Sequence, residues 1–210
     1  MDRIQARHRM VETQLARRGV RDPAVLAAMR EVPRESFMAP GFEEFAYEDS
    51  PIPIAEGQTI SQPYVVAAML EAAELSPDDR VLEVGAGSGY AACVASRLAG
   101  KIFAIERHET LTRAAQERIA SLGYANVALR TGDGSQGWPE EAPFDAIIVS
   151  AAGPKIPDAL KQQLAEGGRL VIPVGETMEQ RLLRLTCHGE DFAQEDRGGV
   201  RFVKLIGEGG

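Results

Sequence analysis

Cysteine is scarce in these 210 residues: Cys93 and Cys187 lie far apart and form no C-x-x-C pair. That argues against a disulfide framework and a zinc ribbon. The three histidines, His8, His108 and His188, stand singly, so no histidine-rich metal site is expected. Basic residues are outnumbered, 23 Lys and Arg against 31 Asp and Glu, for a net charge of −8. A bulk electrostatic footprint for nucleic acid is missing, and no nucleic-acid partner is expected. No stretch approaches the ~18 uninterrupted apolar residues that a membrane span needs. The first nine residues are too polar for the apolar core of a signal peptide. Fixed-period repeats and low-complexity tracts are absent as well. The expectation is a cytoplasmic monomer with no membrane partner.

What is present suffices for a core, since 44% of the residues are hydrophobic. The length suits a single domain, 1–210, in three parts: a helical cover (1–78), an α/β core (79–175) and antiparallel strands (176–210). In the core, apolar runs at Val81–Val84, Lys101–Ile105, Val127–Thr131, Phe144–Ser150 and Arg169–Pro173 predict strands. Helical stretches at 90–98, 109–122 and 156–164 fall between them. Strands alternating with helices imply a parallel sheet covered on both faces. In the tail, Gln180–Cys187 and Val200–Ile206 read as an antiparallel pair joined by a polar loop, 189–199. In the cover, helices are expected over 3–18, from Asp22-Pro23 and over 62–74, with irregular chain between Pro33 and Pro53. The six arginines before Asp22 read as the solvated face of an amphipathic helix rather than as an anion-binding arm.

The most informative segment is Val81-Leu-Glu-Val-Gly85-Ala86-Gly87-Ser88-Gly89-Tyr90. It follows a strand and opens a helix, the setting of a nucleotide-binding turn. The dinucleotide fingerprint would need glycine at position 90, where Tyr90 stands. Glu106, at the end of the second strand, can accept both hydroxyls of an unphosphorylated ribose. Asp133, in Gly132-Asp133-Gly134, can accept from an adenine amino group. Each has a plainer reading: a tight connection, a surface charge near His108, a simple turn former. In this order and spacing they resemble the class I methyltransferases that use S-adenosylmethionine, which implies a Rossmann-like sheet, mostly parallel with an antiparallel end.

Gly57-Gln-Thr59-Ile60-Ser61-Gln-Pro63-Tyr64 precedes a helix. By chemistry alone, Ser61 is a good N-cap. As a string, the segment resembles the signature of the protein-L-isoaspartate O-methyltransferases. Tyr47–Pro53, Leu164–Leu170 and Val200–Val203 agree with it. The resemblance implies methyl transfer from S-adenosylmethionine to isoaspartyl residues of damaged proteins and peptides. It makes Ser61 the active-site serine and lays Thr59, Ile60 and Ser61 over the cofactor. Gly85, Ala86, Gly87 and Ser88 then form the cofactor loop, with Glu106 and Arg107 beside the ribose and adenosine and Asp133 and Gly134 on the adenine side. It gives Val200–Leu205 to the substrate backbone, and it implies that the last two strands are exchanged relative to most class I enzymes. Lys204 stands where the family often has proline, which bears on peptide preference.

The chemistry asks for little more. A carboxylate with a pKa near 4 is ionised at neutral pH, and a sulfonium methyl is an activated electrophile. Orientation can then supply most of the acceleration, with Ser61 donating a hydrogen bond rather than attacking. No G-x-S-x-G elbow surrounds it. Competing readings are methylation of a small molecule or RNA, and a cofactor-binding module without catalysis. Ser150-Ala-Ala-Gly153, where amine-methylating enzymes carry a different tetrapeptide, disfavours nucleobase amines. Cys93 reads as core and His188 as surface, while Trp138 with Pro139 either walls the adenine pocket or packs.

Overall fold

Short, mostly apolar runs are what a parallel sheet covered on both faces demands of its strands. The computed structural model describes residues 2–176 and 179–209. Its main sheet contains β3 (Arg80–Val84), β4 (Lys101–Glu106), β5 (Val127–Thr131), β6 (Phe144–Val149), β7 (Leu164–Glu176), β8 (Glu179–His188) and β9 (Asp191–Val200). The strand order is β5-β4-β3-β6-β7-β8-β9. The first five are parallel, and β8 and β9 add antiparallel pairings at one end. The last strand therefore lies at the edge, in sequence order, which is the exchanged arrangement implied by the resemblance. No helix of the described residues is long and apolar enough to cross a membrane.

Alternating side chains feed two separate cores. Val81, Ile102, Ala104, Ile148 and Val171 meet the cover, with Met10, Leu15, Met29, Leu70 and Tyr90. Leu82, Phe103, Ile105, Ile147 and Leu170 pack on the other face. The cover comprises α1 (Arg3–Met10), α2 (Pro23–Glu31) and α3 (Pro63–Ala73), with a short ribbon, β1 (Ile52–Pro53) and β2 (Thr59–Ile60), between the last two. Asp22 caps α2, accepting from Ala24 N and Val25 N. The helix expected over 3–18 is α1 followed by a π turn and a 3-10 turn. One of its arginines departs from the solvated face: Arg7 is buried, 3.9 Å from Glu35. Arg34 ties down the irregular stretch, its Nε donating to the Ala46 carbonyl at 2.7 Å while its guanidinium lies 5.0 Å from the Tyr90 ring.

Between the strands, α4 (Tyr90–Ala95) and α5 (Glu109–Ser121) form as expected. Three expectations are corrected. The helix expected over 156–164 is the single turn α6 (Asp158–Lys161), and Leu164 already belongs to β7. Gly167 and Gly168 form a bulge inside that strand, where a Cβ on Gly168 would lie 2.7 Å from the Ala165 oxygen. The polar segment 189–199 is no loop either, because Asp191–Val200 is β9 itself. An edge strand exposed on both faces needs no apolar alternation, and charge there discourages pairing with other chains. Of the segment 200–206, expected as a strand, Val200 ends β9, and the rest crosses the ends of the parallel strands with a single bridge among the described residues, Lys204 to Ala152.

Candidate active site

The sheet order reverses at β3, which lies between β4 and β6, and ligands of open α/β sheets bind at such a switch point. After Val84 the chain turns through Gly85, Gly87 and Gly89 at φ of +85°, +53° and +84°, values that L side chains rarely adopt. Tyr90 is fully buried and edge-on to Phe37 at 5.5 Å, so the helix start there is fixed by packing. Gly134 comes so near the end of β3 that a Cβ would lie 2.4 Å from Val84 Cγ1.

These turns border a narrow cavity that opens to solvent. Gly85, Ala86, Gly87, Ser88, Glu106, Arg107 and Gly134 line it, with Thr59, Ile60 and Ser61 on another side. Glu106 is no surface charge. It is buried, and its carboxylate accepts from Gly87 N at 2.8 Å and His108 N at 2.9 Å.

Thr59 and Ile60 pair with Pro53 and Ile52, and that ribbon delivers Ser61 to the cavity wall. Gln62 holds the segment from behind, donating to the Asp49 carbonyl at 3.0 Å and carboxylate at 2.8 Å. The N-cap position of α3 is Gln62, not Ser61, and no side chain caps the helix. The hydroxyl of Ser61 is therefore not committed to capping. A second, larger groove of about 860 Å³ opens beyond it, and Thr59, Ser61, Ser150 and Val203 line both spaces.

Asp133 lies elsewhere than expected, since it does not line the cavity. One carboxylate oxygen accepts from Ser135 N and Oγ, at 2.9 and 2.7 Å, and the other from Glu208 N at 2.9 Å. Burial pushes its pKa up, but the N–H of Glu208 and the Ser135 contacts outweigh this and hold it below the usual range. Arg107 donates to the Ile206 carbonyl at 3.1 Å, so both residues engage the tail of the chain. Trp138 packs edge-on against Phe103 at 5.5 Å, beneath Arg130, and not on the cavity. Cys93 is core, and His188 is exposed.

The sequence reading passed over Glu83. It is buried in the middle of the sheet, borders the cavity, and leaves Oε2 without a partner among the described residues. Burial, reinforced by the nearby Glu106 charge, pushes its pKa up to about 8. The available signal was a carboxylate inside an otherwise apolar central strand.

The protein-L-isoaspartate(D-aspartate) O-methyltransferase family model matches residues 5–210. The chain belongs to this family. A protein-L-isoaspartate O-methyltransferase of Methylorubrum extorquens (strain PA1) is 61% identical over 206 residues, covering 98% of this chain and 90% of that one. A solved protein-L-isoaspartate O-methyltransferase superposes with a TM-score of 0.88 at 30% identity, over 97% of this chain and 67% of its own. A Plasmodium falciparum structure described as a putative member, in complex with S-adenosyl-L-homocysteine, gives 0.82 at 30%, over 95% and 98%. The fold is that of the class I methyltransferases, and the cofactor of this isoaspartate methyltransferase is S-adenosylmethionine. The cavity suits it: an unpaired buried carboxylate oxygen on Glu83 can take a cationic amine, and bare glycine main chain admits a close ligand.

Proposed function

We propose that an L-isoaspartyl residue enters through the larger groove and presents its free α-carboxylate past Ser61, where it is methylated. The activity itself follows from family membership: S-adenosylmethionine-dependent O-methylation of L-isoaspartyl residues, which serves protein repair. The observation that carries the residue assignment is the position of Ser61 in the wall common to both spaces.

Bound in the first cavity, S-adenosylmethionine supplies a methyl group on a positively charged sulfur. The Ser61 hydroxyl donates to the incoming carboxylate and aims it. Misplacement by about 1 Å can cost on the order of 100-fold in rate, so aiming is the main catalytic task. Glu106 receives the ribose hydroxyls, and Glu83 faces the amine. Gly85–Ser88 give close main-chain approach, Thr59 and Ile60 close the top, and Arg107 with Gly134 border the nucleoside. Val200–Val203 run beside a peptide backbone in the groove. Once the ester forms, the backbone nitrogen of the following residue attacks its carbonyl, methanol leaves and a succinimide closes. Hydrolysis of the ring returns part of the chain to normal aspartate without further help from the protein.

The test is methyl transfer from labelled cofactor to matched isoaspartyl and aspartyl peptides, with products followed by chromatography. Labelling of the isoaspartyl peptide alone, followed by succinimide, is expected. Equal labelling of both would refute the geometric selection.

A further inference from the structure

The larger groove carries a charge opposite to that of the whole chain. Arg18, Arg181, Arg197 and Arg201 line it, and Glu179 is the one carboxylate among its lining residues, although the protein as a whole bears −8. The four arginines come from four places: the turn after α1, β8, β9 and the crossing segment. Three have a carboxylate neighbour. Arg18 meets Asp49 and stacks 3.8 Å over the Tyr64 ring, Arg181 meets Asp196 at 2.8 Å, and Arg197 meets Glu195 at 3.2 Å. These are exposed pairs, which are weak. A guanidinium with five N–H donors keeps some free after one such contact. Arg201 is exposed and has no ion-pair partner among the described residues.

We propose that this groove selects isoaspartyl segments flanked by acidic side chains, with Arg201, Arg181 and Arg197 receiving the flanking carboxylates. The proposal rests on the groove being the peptide entrance. A positive wall in a negative molecule raises the local concentration of acidic segments and repels basic ones. The selection acts on binding, because the arginines stand along the groove and not in the cofactor cavity.

Three peptides of one length test this, each with a central isoaspartyl residue flanked by glutamates, by serines or by lysines. Steady-state rates at low salt should give the glutamate peptide a KM about fivefold below the serine peptide, and the lysine peptide a higher one, at similar kcat. The spread should shrink in 0.5 M salt, where charges are screened within a few ångströms. In Arg201→Gln, and separately in Arg197→Gln, the glutamate-to-serine ratio of kcat/KM should move towards one. That ratio is internally normalised, so a loss of active protein does not disturb it. A ratio at or below one in the unaltered chain at low salt would overturn the proposal. Failure to methylate the serine peptide at all would instead overturn the repair reading on which it rests.

Discussion

Ser61 and Glu83 show how two residues on one cavity answer to different physics. The Ser61 hydroxyl caps no helix, because α3 begins at Pro63 with Gln62 at its N-cap and no side-chain cap bond. Removing a true cap costs roughly 1 kcal/mol of stability, and none of that is at stake here. Ser61→Ala should therefore cut turnover strongly while the melting temperature and the affinity for S-adenosylhomocysteine stay close to the original. Turnover that survives the change would cancel the aiming role. Glu83 is read through protons. Its folded pKa of about 8 exceeds the ordinary 4.5. Between those values the native state binds more protons than the unfolded one, so stability contributed by the protonated group falls as pH rises from about 4.5 through 8. Thermal unfolding from pH 5 to 9 should show a decline that Glu83→Gln flattens. Parallel curves for the two proteins would assign the decline to another group.

At the scale of elements, the parallel strands and the turns at their ends were readable because burial on both faces leaves short, mostly apolar runs. Glycines that must take left-handed φ likewise mark a turn by type. Three elements were not readable, each for a stated cause. β9 is polar because an edge strand has no core face, so Asp191–Val200 resembled a loop. β7 passes through Gly167–Gly168 in a bulge, so its start at Leu164 was hidden in an apparent helix. The 200–206 segment has strand-like alternation, but Val203 and Leu205 satisfy their bonds on Ala152 alone. For the site, the glycine loop, Glu106 and the Ser61 segment were legible as a group, whereas Glu83 and the partners of Asp133 depend on contacts made across the fold. The contact of Gly134 with the end of β3 is one of these. Gly134→Ala would drive a Cβ against Val84, a residue with no room to retreat inside the sheet. Overpacking of this kind costs about 1–3 kcal/mol. A lower urea midpoint with an unchanged slope is expected, and an unchanged midpoint would mean that the turn slides aside freely.

Across the whole molecule, one strip of chain serves several neighbours at once. Val203–Ile206 border the cofactor cavity, and Val203 borders the groove as well. Just beyond, Glu208 N reaches Asp133, Gly209 N reaches the Ser135 hydroxyl at 3.0 Å, and Arg107 holds the Ile206 carbonyl. At Gly207 even a methyl group is too much, since a Cβ would lie 1.9 Å from the Asp133 carboxylate. This clasp has a consequence for proteolysis. A protease that cuts after Arg201 or Lys204 must first lift this strip away, and with it residues that form the wall of the ligand site. Ligand in the cavity stabilises the closed wall by mass action. Tryptic cleavage there should therefore slow as S-adenosylhomocysteine is added, with a midpoint that tracks its dissociation constant, and mass spectrometry of the fragments reads this directly. Cleavage at one rate with and without ligand would mean that the clasp opens independently of the site. If it slows, this strip serves as a latch that the occupied cavity holds shut.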